Sequence, residues 1–569
     1  MSAATSPTDD APRPPAWWRE ARFGLFIHWG VYAVPAGVHR GQPIAGASEW
    51  LMHSARIPVA DYKAYAAGFT ASHYDPDSWV AAALDAGMGY VVVGAKHHDG
   101  FCLFETTATA WNAKDATPAA RDVLRPLVEA CRRRDVPIGF YYSHAQDWIN
   151  GGANYAGNWD SPAQDRDFDD YLDHLAIPQI RELLTHYGPG VPACLWWDTP
   201  ARMTPARAAR VDAAVQALAP GILQNDRLGE GHPGHFDTPE QRIPAKRPAR
   251  PWETCMTTNE SWGFNLHDHD WKPPATLIRQ LCEVVSQGGN YLLNIGPRAD
   301  GTIPEPTLDA LRAIGAWMRI NHPAIRGASA GPFPHRLPWG FATTRADRLY
   351  LLVEKWPADG RLSVPLLDPP VSARLLASPT TSLGLEPVAD GAFDLLVPPS
   401  APDEAVTVVE LHYNSAPRPG AVPPRPRPPV IPQPADGAVS LRAADAEIIG
   451  DHLALHSGSE PRLGCWTSLD SWPLWRLRLH RAGSYRVEVE YAVPAHRQGT
   501  LAEVELGEQR LPLVVAGTGG WGEYVRVDVG VVALGPHDEL PVRLIPRSIP
   551  VGAVMNLRAL HLQPCAARP

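Results

Sequence analysis

The chain has 569 residues, of which 45% are hydrophobic and 20% are charged, and its formal net charge at pH 7 is −10. This length is typical of several domains, and the composition is that of an ordinary globular protein. The negative charge and the lack of a basic stripe argue against nucleic acid or an anionic membrane surface as a partner, and no apolar run reaches the roughly 20 residues of a membrane span. The sequence gives no indication of the oligomeric state.

The N-terminal segment and the cysteines bear on the compartment. Residues 1–16 predict a short disordered lead, because they have neither the basic start nor the apolar core of a secretory signal. The seven cysteines are odd in number, and none has CxxC or CxxH spacing. This pattern argues against a disulfide framework and a structural zinc site, and it is typical of a reducing compartment. We therefore expect a cytoplasmic protein without a cofactor or metal, with non-classical export as the alternative.

The first 327 residues alternate short apolar strands with amphipathic helical stretches. Predicted strands cover residues 23–30, 90–97, 138–143, 193–198, 222–226 and 290–296. Predicted helices cover residues 76–87, 121–134, 165–186, 205–218, 274–287 and 304–321, and the stretch between 226 and 274 is predicted to be a polar loop region. Such alternation indicates a parallel sheet covered on both faces. The leading architecture for residues 17–327 is an α/β fold, a (β/α)8-like TIM barrel, and the competing one is a doubly wound open sheet, although no GxGxxG follows the first strand.

Polar residues occur at or just after the carboxyl ends of five predicted strands. These residues are His28, His97, Tyr142, Asp198 and Asp226. TIM-barrel enzymes build their active sites at this end, whereas polar residues needed only for stability would show no such bias. The pattern therefore favours the barrel and indicates an enzyme.

The remainder of the chain predicts two further domains. Residues 328–414 change to a period-two alternation that predicts a small antiparallel β-sandwich. Residues 415–437 are so rich in proline that they predict an extended, semi-rigid linker. Residues 438–569 again alternate with a period of two and predict a second β-sandwich.

Five short segments of the predicted barrel stand out by their polar and aromatic residues. They are FGLFIHWG (23–30), EW (49–50), KHHDGF (96–101), LWWDTP (195–200) and NDRLG (225–229). In this order and spacing they resemble the α-L-fucosidase family, glycoside hydrolase family 29, and LLNIGPRADGTIPE (292–305) matches the end of that family's barrel. The resemblance covers about residues 17–412. It implies a retaining exo-α-L-fucosidase that hydrolyses terminal α-L-fucosyl residues from glycans or glycosides by double displacement.

A retaining glycosidase needs one ionised carboxylate below the anomeric carbon and one protonated carboxyl above the glycosidic oxygen. Asp198 is the predicted nucleophile, because a carboxylate at the end of a hydrophobic strand is partly desolvated but open to substrate. The resemblance places the family's nucleophile at the same residue. The alternative is that Asp198 caps the helix that follows, but Thr204 is the better N-cap.

The second carboxyl has two candidates. Glu240 is the first choice for the acid/base, because it lies in a loop that can carry the acid to the leaving group. Glu253 is the alternative, because burial beside a tryptophan could raise its pKa toward that of an acid. Either glutamate could instead form a salt bridge with Arg242 or Arg227.

The resemblance also implies a binding shell for a 6-deoxy sugar, which needs polar partners for its hydroxyls and an apolar contact for its methyl group. The predicted polar partners are His28, Glu49, His97, His98 and Arg227. The predicted aromatic residues are Tyr142, Trp50, Trp196 and Trp262. A lone buried histidine or tryptophan is more often a core residue, so these predictions depend on the position of each residue near Asp198.

Two other functions stay open. His28, His97, His98 and Asp198 could be ligands of a metal-dependent barrel hydrolase, but adjacent strand residues point to opposite faces and no HxH or HExxH motif is present. A catalytically inactive barrel could serve as a fucose- or glycan-binding protein. The presence of a nucleophile candidate and two acid candidates argues against that second function.

The C-terminal sandwich resembles the galactose-binding-like modules that accompany such hydrolases, and it is a possible carbohydrate-binding module. Its GCWTSLDSW (464–472) and GTGGWGEYVRVDVG (517–530) stretches carry the resemblance. Trp466, Trp472 and Trp521 either stack on a glycan or fill the core of the sandwich.

Overall fold

The computed structural model describes residues 13–44, 46–154, 157–388, 393–422, 428–450, 452–456, 460–550 and 553–566. Most of the predicted lead (1–12) and part of the proline-rich linker (423–427) lie outside the described residues. The chain divides into two compact units, Met1–Glu240 with Lys246–Pro424, and Gln241–Ala245 with Arg425–Pro569.

Parallel strands form the centre of the first unit. They are β1 (Phe23–Ile27), β2 (Val91–Lys96), β3 (Ile138–Tyr142), β4 (Cys194–Trp197), β5 (Leu223–Gln224), β6 (Glu253–Thr257) and β7 (Asn290–Ile295). Their order is β5, β4, β3, β2, β1, β7, β6, and every neighbouring pair is parallel. All of their residues are buried, as expected for a parallel sheet covered on both faces.

A short segment, residues 235–240, lies between β5 and β6 and closes the barrel. The backbone N–H of His235 donates to the carbonyl oxygen of Gln224 at 2.8 Å, and the N–H of Glu253 donates to the carbonyl oxygen of Asp237 at 2.9 Å. Isolated parallel bridges join the segment to both neighbouring strands. The predicted (β/α)8-like barrel is therefore confirmed, with this segment as an irregular eighth strand. The predicted polar loop between 226 and 274 is wrong where β6 and this segment lie.

The predicted helices between the strands are all present. The helices of the first unit are α1 (Ala16–Ala21), α2 (Leu51–Ser54), α3 (Val59–Lys63), α4 (Pro76–Asp85), α5 (Ala113–Ala116), α6 (Leu124–Arg133), α7 (Phe168–Tyr171), α8 (Ile177–Thr185), α9 (Pro205–Gln216), α10 (Pro274–Ser286) and α11 (Glu305–Asn321). A π-helical turn, Leu172–Ala176, joins α7 to α8. Helix α6 buries Leu124, Leu127, Val128 and Cys131 on one face, the spacing that packs a helix against a sheet. Within the described residues, no helix combines the length and the apolar character that crossing a bilayer requires.

The rest of the first unit is antiparallel, as predicted. Its strands are Ser329–Ala330, Gly340–Arg345, Arg348–Val353, Arg361–Val364, Ser372–Leu375, Ser378–Ser382, Gly384–Pro387, Phe393–Leu396 and Thr407–His412. They form a six-stranded and a three-stranded sheet, and they share a core that includes Leu351, Leu395 and Val409. A small hairpin, Val38–His39 with Gln42–Pro43, lies after β1.

The second unit is also built from β-strands. They are Ile431–Pro432, Val439–Arg442, Glu447–Ile449, Ala454–His456, Arg462–Gly464, Trp472–Leu479, Gly483–Ala492, Leu501–Leu506, Gln509–Val514, Val525–Leu534, His537–Ser548 and Asn556–Cys565. These strands form two sheets around one apolar core. Trp466 is buried in that core, and Trp472 and Trp521 are partly buried and pack against it. The three tryptophans therefore contribute to packing in this unit.

Candidate active site

A cavity of about 330 Å³ opens at the carboxyl ends of the barrel strands. The residues predicted for the site that line it are His28, Trp50, His97, His98, Trp196, Asp198, Arg227, Glu240 and Trp262. The lining also includes Phe26, Tyr141, Thr199, Pro200 and Cys255, which sequence reasoning did not single out. The cavity lies at the lower end of the range of about 300–1,000 Å³ for small-molecule sites, which suits one sugar ring.

Asp198 follows directly after β4 and is held by two donors. Nη1 of Arg227 donates to Oδ1 at 2.7 Å, and the hydroxyl of Tyr141 donates to Oδ2 at 2.9 Å. Burial by itself would raise the pKa of Asp198, but the charge of Arg227 and these hydrogen bonds outweigh burial and hold the pKa below its usual value. The lowered pKa keeps this carboxylate ionised at pH 7, and its side chain is 16% exposed and so remains accessible from the cavity.

The interpretation of Asp198 as a helix cap does not agree with the structure. The side chain of Thr204 caps α9 by accepting from the backbone N–H of Arg207. The side chain of Asp198 instead bonds within the cavity. Asp198 therefore does not cap α9, and its side chain is held by residues that line the cavity.

Glu240 ends the segment that closes the barrel, and it faces Asp198 across Arg227. Nη1 of Arg227 donates to Oε2 of Glu240 at 2.8 Å while it also donates to Asp198 at 2.7 Å. The two oxygens that share this donor therefore lie no farther apart than about 5.5 Å. This upper bound agrees with the roughly 5–5.5 Å spacing of retaining glycosidases and is below the 6.5–9.5 Å of inverting ones. With 42% of its side chain exposed, Glu240 has room to change rotamer.

The structure does not bring Glu253 to the cavity. Glu253 is the first residue of β6 and therefore lies at the amino end of the barrel, and it is 1% exposed. Its carboxylate accepts hydrogen bonds from Trp18, Tyr90 and Trp196. The alternative prediction of Glu253 as the acid/base is thereby corrected, because a carboxyl enclosed by these side chains cannot reach a leaving group.

The hydrogen bonds of His28 fix its tautomer. The side-chain amide of Asn294 donates to the carbonyl oxygen of Trp262 at 2.7 Å, so its Oδ1 faces Nδ1 of His28, also at 2.7 Å. Nδ1 therefore carries the proton, and Nε2 is left as an acceptor. Burial lowers the pKa of His28 to about 4, so the ring is neutral at pH 7. A neutral ring with a bare Nε2 can accept a hydrogen bond from a sugar hydroxyl.

His98 is neutral for the same reason. Its Nδ1 lies 2.7 Å from Oγ of Ser143, whose hydroxyl donates to the carbonyl oxygen of Gln146 at 2.8 Å. Ser143 therefore accepts from Nδ1–H of His98. Burial lowers the pKa of His98 to about 4, although its Nε2 lies 3.5 Å from Asp198. The charge of Arg227 consequently lowers the pKa of the nucleophile candidate more than this imidazole does.

Tyr142 does not line the cavity, and its neighbour Tyr141 does. The hydroxyl of Tyr142 donates to Oε1 of Gln179 at 2.6 Å, on the helix side of β3. Successive strand residues point to opposite faces, so Tyr141 faces the interior, where its ring stacks on His97 at 5.4 Å. The prediction of an aromatic residue from this strand was wrong by one position.

Glu49 lies behind the cavity and not among its lining residues. It is buried, and Oε2 accepts from the backbone N–H of Gly263 at 2.9 Å. Burial raises the pKa of Glu49 to about 7. Its neighbour Trp50 does line the cavity, so the structure places the pair EW beside the site with only the tryptophan in the lining.

Aromatic rings form one wall of the cavity. Trp262 lies 5.1 Å from His28 and 6.0 Å from Phe26, measured between ring centroids. Trp196 lies 5.1 Å from Phe26 and stacks on Tyr141 at 5.8 Å. The site thus pairs this apolar wall with the polar side chains around Asp198.

In the part of the chain that the structure describes, no group of three or more His, Cys, Asp or Glu side chains is arranged to hold a metal ion.

Comparison with known proteins gives a consistent set of relatives. A family model described as alpha-L-fucosidase matches residues 2–323, which include every residue of the cavity. The alpha-L-fucosidase isoenzyme 1 from Paenibacillus thiaminolyticus is 36% identical, with a TM-score of 0.64 over 70% of this chain and 98% of that chain. An alpha-L-fucosidase from Vibrio sp. strain EJY3 is 27% identical, with a TM-score of 0.66 over 96% of this chain and 97% of that chain.

A third solved structure bears on chemistry. It is a family 29 alpha-L-fucosidase from Bacteroides thetaiotaomicron, trapped as a covalent intermediate with 2-fluoro-fucosyl fluoride. That protein is 28% identical to this chain, with a TM-score of 0.64 over 71% of this chain and 97% of that chain. The covalent intermediate shows that this relative reacts through a bond between the enzyme and the sugar.

Proposed function

This chain belongs to the α-L-fucosidase family, and from that membership we propose that Asp198 and Glu240 carry out the two steps of its reaction. The protein is a retaining α-L-fucosidase, and its substrate is a fucosylated glycan or glycoside. A retaining enzyme forms a covalent glycosyl intermediate and then hydrolyses it with water. The assignment of these two steps to residues of this cavity is the finer proposal.

In the first step Asp198 attacks the anomeric carbon while Glu240 protonates the departing oxygen. In the second step the Glu240 carboxylate takes a proton from water, which attacks the same carbon and releases fucose. Arg227 holds the two carboxyl groups near each other, because one Nη1 atom lies within hydrogen-bond distance of both. The hydrogen bond to Asp198 is released in part when the nucleophile bonds to the sugar.

One observation carries this proposal: the two carboxylates share Nη1 of Arg227 inside the cavity. The resulting separation of no more than about 5.5 Å suits attack by one carboxylate and proton transfer by the other on a single glycosidic bond. The sugar itself is proposed to bind with a hydroxyl donating to Nε2 of His28. Its methyl group is proposed to face the wall that contains Phe26 and Trp262.

Covalent labelling tests the nucleophile directly. The Glu240→Gln variant should be incubated with 2-fluoro-fucosyl fluoride, digested with a protease and analysed by mass spectrometry. Fluoride leaves without a general acid, whereas hydrolysis of the intermediate is slowed, so the ester should accumulate on the peptide that contains Asp198. A double variant that also carries Asp198→Asn serves as the control and should take up no label. Label on any other carboxylate would overturn the assignment.

We also propose a cytoplasmic location. Five cysteines, Cys102, Cys131, Cys194, Cys255 and Cys282, are buried and form no disulfide. Unpaired cysteines are stable in a reducing compartment. Fractionation of the producing cells, followed by activity measurement on an aryl α-L-fucoside, should place the enzyme in the cytosolic fraction. Activity in an extracellular or periplasmic fraction would contradict the proposal.

A further inference from the structure

Glu253 is a buried carboxyl that the proposed mechanism does not use. It opens β6, and Cys255, two residues farther along the strand, is the nearest residue of β6 that lines the cavity. A strand advances about 3.3 Å per residue, so the backbone of Glu253 lies roughly 7 Å below that of Cys255 along the strand. Glu253 is therefore attached to the barrel below the level of the cavity lining.

The environment of Glu253 is unusual for a carboxyl. Its Oε2 accepts from Nε1 of Trp18 at 3.0 Å and from the hydroxyl of Tyr90, and its Oε1 accepts from Nε1 of Trp196 at 3.0 Å. All three donors are neutral, and among the described residues burial and these hydrogen bonds are the influences on the pKa of Glu253. A buried carboxyl without a cationic partner destabilises a fold unless its hydrogen bonds compensate. The three hydrogen bonds compensate for the burial of this carboxyl, and the one from Trp196 connects it to a residue that lines the cavity.

Trp196 connects this carboxyl to the site. It is the donor among the three that lines the cavity. One face of its ring supports the guanidinium of Arg227, whose Cζ lies 5.0 Å from the ring centroid, and the ring also stacks on Tyr141 at 5.8 Å. Arg227 and Tyr141 are the two donors that hold Asp198. An indole has a single N–H, so one acceptor is enough to fix the rotation of the ring.

We propose that Glu253 is a positioning residue: its carboxylate fixes the indole of Trp196, and that ring in turn fixes the two donors that hold the nucleophile. The proposal rests on the assignment of Asp198 under the proposed function. Glu253 touches neither the sugar nor the leaving group. Its effect is expected on the geometry of attack, where a displacement of about 1 Å can lower a rate about a hundred-fold.

Two variants of Glu253 distinguish its role as a hydrogen-bond acceptor from the role of its negative charge. Glu253→Met keeps the length of the side chain and removes the acceptor, and we expect kcat/KM to fall about ten-fold or more. Glu253→Gln offers an amide oxygen to Trp196, and we expect it to recover a large part of that loss. The loss should be equal for aryl fucosides with good and poor leaving groups, since proton donation is not affected. A loss confined to poor leaving groups would make Glu253 the acid and overturn the proposal.

Tyr90→Phe is the matched control. It removes a different donor from the same carboxylate without touching Trp196 or the cavity. We expect its melting temperature to fall as for Glu253→Met while kcat and KM stay within about two-fold of the unmodified enzyme. If Tyr90→Phe loses as much activity as Glu253→Met at a similar loss of melting temperature, the role of Glu253 is structural and the proposal falls.

A double-mutant cycle with Trp196→Phe tests whether Glu253 affects kcat/KM through its hydrogen bond to Trp196. Phenylalanine keeps an aromatic ring and has no N–H, so Trp196→Phe should reproduce the kinetic loss of Glu253→Met even if the latter variant is insoluble. In the Trp196→Phe background, Glu253→Met should lower kcat/KM by less than about two-fold more. Additive losses would overturn the proposal. Failure of covalent labelling at Asp198 would instead overturn the proposed function, whatever the outcome of the cycle.

Discussion

Two side chains donate hydrogen bonds to Asp198, Arg227 from the turn after β5 and Tyr141 from β3. Arg227 supplies the positive charge and Tyr141 supplies a neutral donor, one to each carboxylate oxygen. His98 is also near, at 3.5 Å, but burial keeps its pKa at about 4 and the ring stays neutral. A nucleophile that is ionised over most of the pH range is the consequence.

Replacement of Asp198 by glycine should remove turnover and leave the cavity intact. We expect kcat on an aryl α-L-fucoside to fall on the order of a thousand-fold or more, because no other group in the cavity is placed to form the covalent intermediate. Azide is small enough to occupy the vacated space and should restore part of the activity with formation of a fucosyl azide. The measurement is product analysis by NMR. A variant that keeps its turnover without azide would contradict the assignment.

Loss of Glu240 should depend on the leaving group. A general acid contributes roughly 10²–10⁴-fold, so Glu240→Ala should lose about this much with a poor leaving group. With a fluoride or dinitrophenyl leaving group, which needs no proton, the first step should be nearly unaffected. Steady-state rates across a series of aryl fucosides give the slope that checks this expectation. Glu230 is exposed on the same stretch of chain, and Glu230→Ala is the control that should show no change in slope.

At the scale of elements, strand β3 sorts its side chains into two environments. Tyr141 bonds to Asp198 in the cavity, and Tyr142 bonds to Gln179 on the opposite face. The strand was predictable from its apolar run, but an apolar run on both faces does not show which residue points inward. That information comes from the hydrogen-bonded register with the neighbouring strands, so the one-residue error at Tyr142 could not be avoided from the sequence.

Substitution of Tyr141 and of Tyr142 tests whether the two side chains lie on opposite faces of β3. Tyr141→Phe removes a hydrogen bond to a charged group, worth about 1.5–3 kcal/mol, and should lower kcat/KM roughly ten- to hundred-fold. Tyr142→Phe leaves the buried Oε1 of Gln179 without this donor, and it should lower stability by about 1–3 kcal/mol with unchanged kinetics. Urea unfolding and steady-state kinetics on both variants check the pair. Equal kinetic losses in the two variants would contradict the placement of the tyrosines.

The elements between β5 and α10 show where sequence reasoning reaches its limit. β6 has the sequence ETCMT and is buried on both faces. Its glutamate and threonines interrupt the apolar run by which such a strand is recognised in a sequence. Segment 235–240 is irregular and is joined to the barrel by few backbone hydrogen bonds. Glu240 and Glu253 belong to these two elements, so the choice between them depended on strands that the apolar pattern does not reveal. Asp198 ends an unmistakable apolar strand, and its prediction needed no such information.

At the scale of the whole molecule, buried titratable groups govern how stability depends on pH. Among the described residues, burial raises the pKa of three carboxyls, Glu49, Asp99 and Glu253, to about 7. In the unfolded chain these pKa values are about 4, so between pH 4 and 7 the folded chain holds protons that the unfolded chain has released. The contribution of these groups to the free energy of unfolding is therefore fully present below about pH 4. It is lost as the pH rises from there through about 7.

Buried imidazoles act in the opposite direction. Burial lowers the pKa of His28, His98 and His144 to about 4, and it lowers that of His97 well below its ordinary value. The unfolded value is about 6.5, so as the pH falls below about 6.5 the unfolded chain takes up protons that the folded chain excludes. The stability from these groups is therefore lost as the pH falls from about 6.5 to about 4.

Below about pH 6.5 the buried carboxyls and the buried imidazoles change the free energy of unfolding in opposite directions. Above that pH the change comes mainly from the carboxyls. We expect the melting temperature to change only gently between about pH 5 and 6.5 and to fall between about pH 6.5 and 8, as the carboxyls ionise. Circular dichroism or calorimetric melts of the full chain in buffers of equal ionic strength measure this profile. Glu253→Gln removes one of the three carboxyls, so its melting temperature should fall less steeply above pH 6.5. The exposed control Glu230→Gln should keep the original slope, and a melting temperature that rises between pH 6.5 and 8 would contradict the dominance of the buried carboxyls.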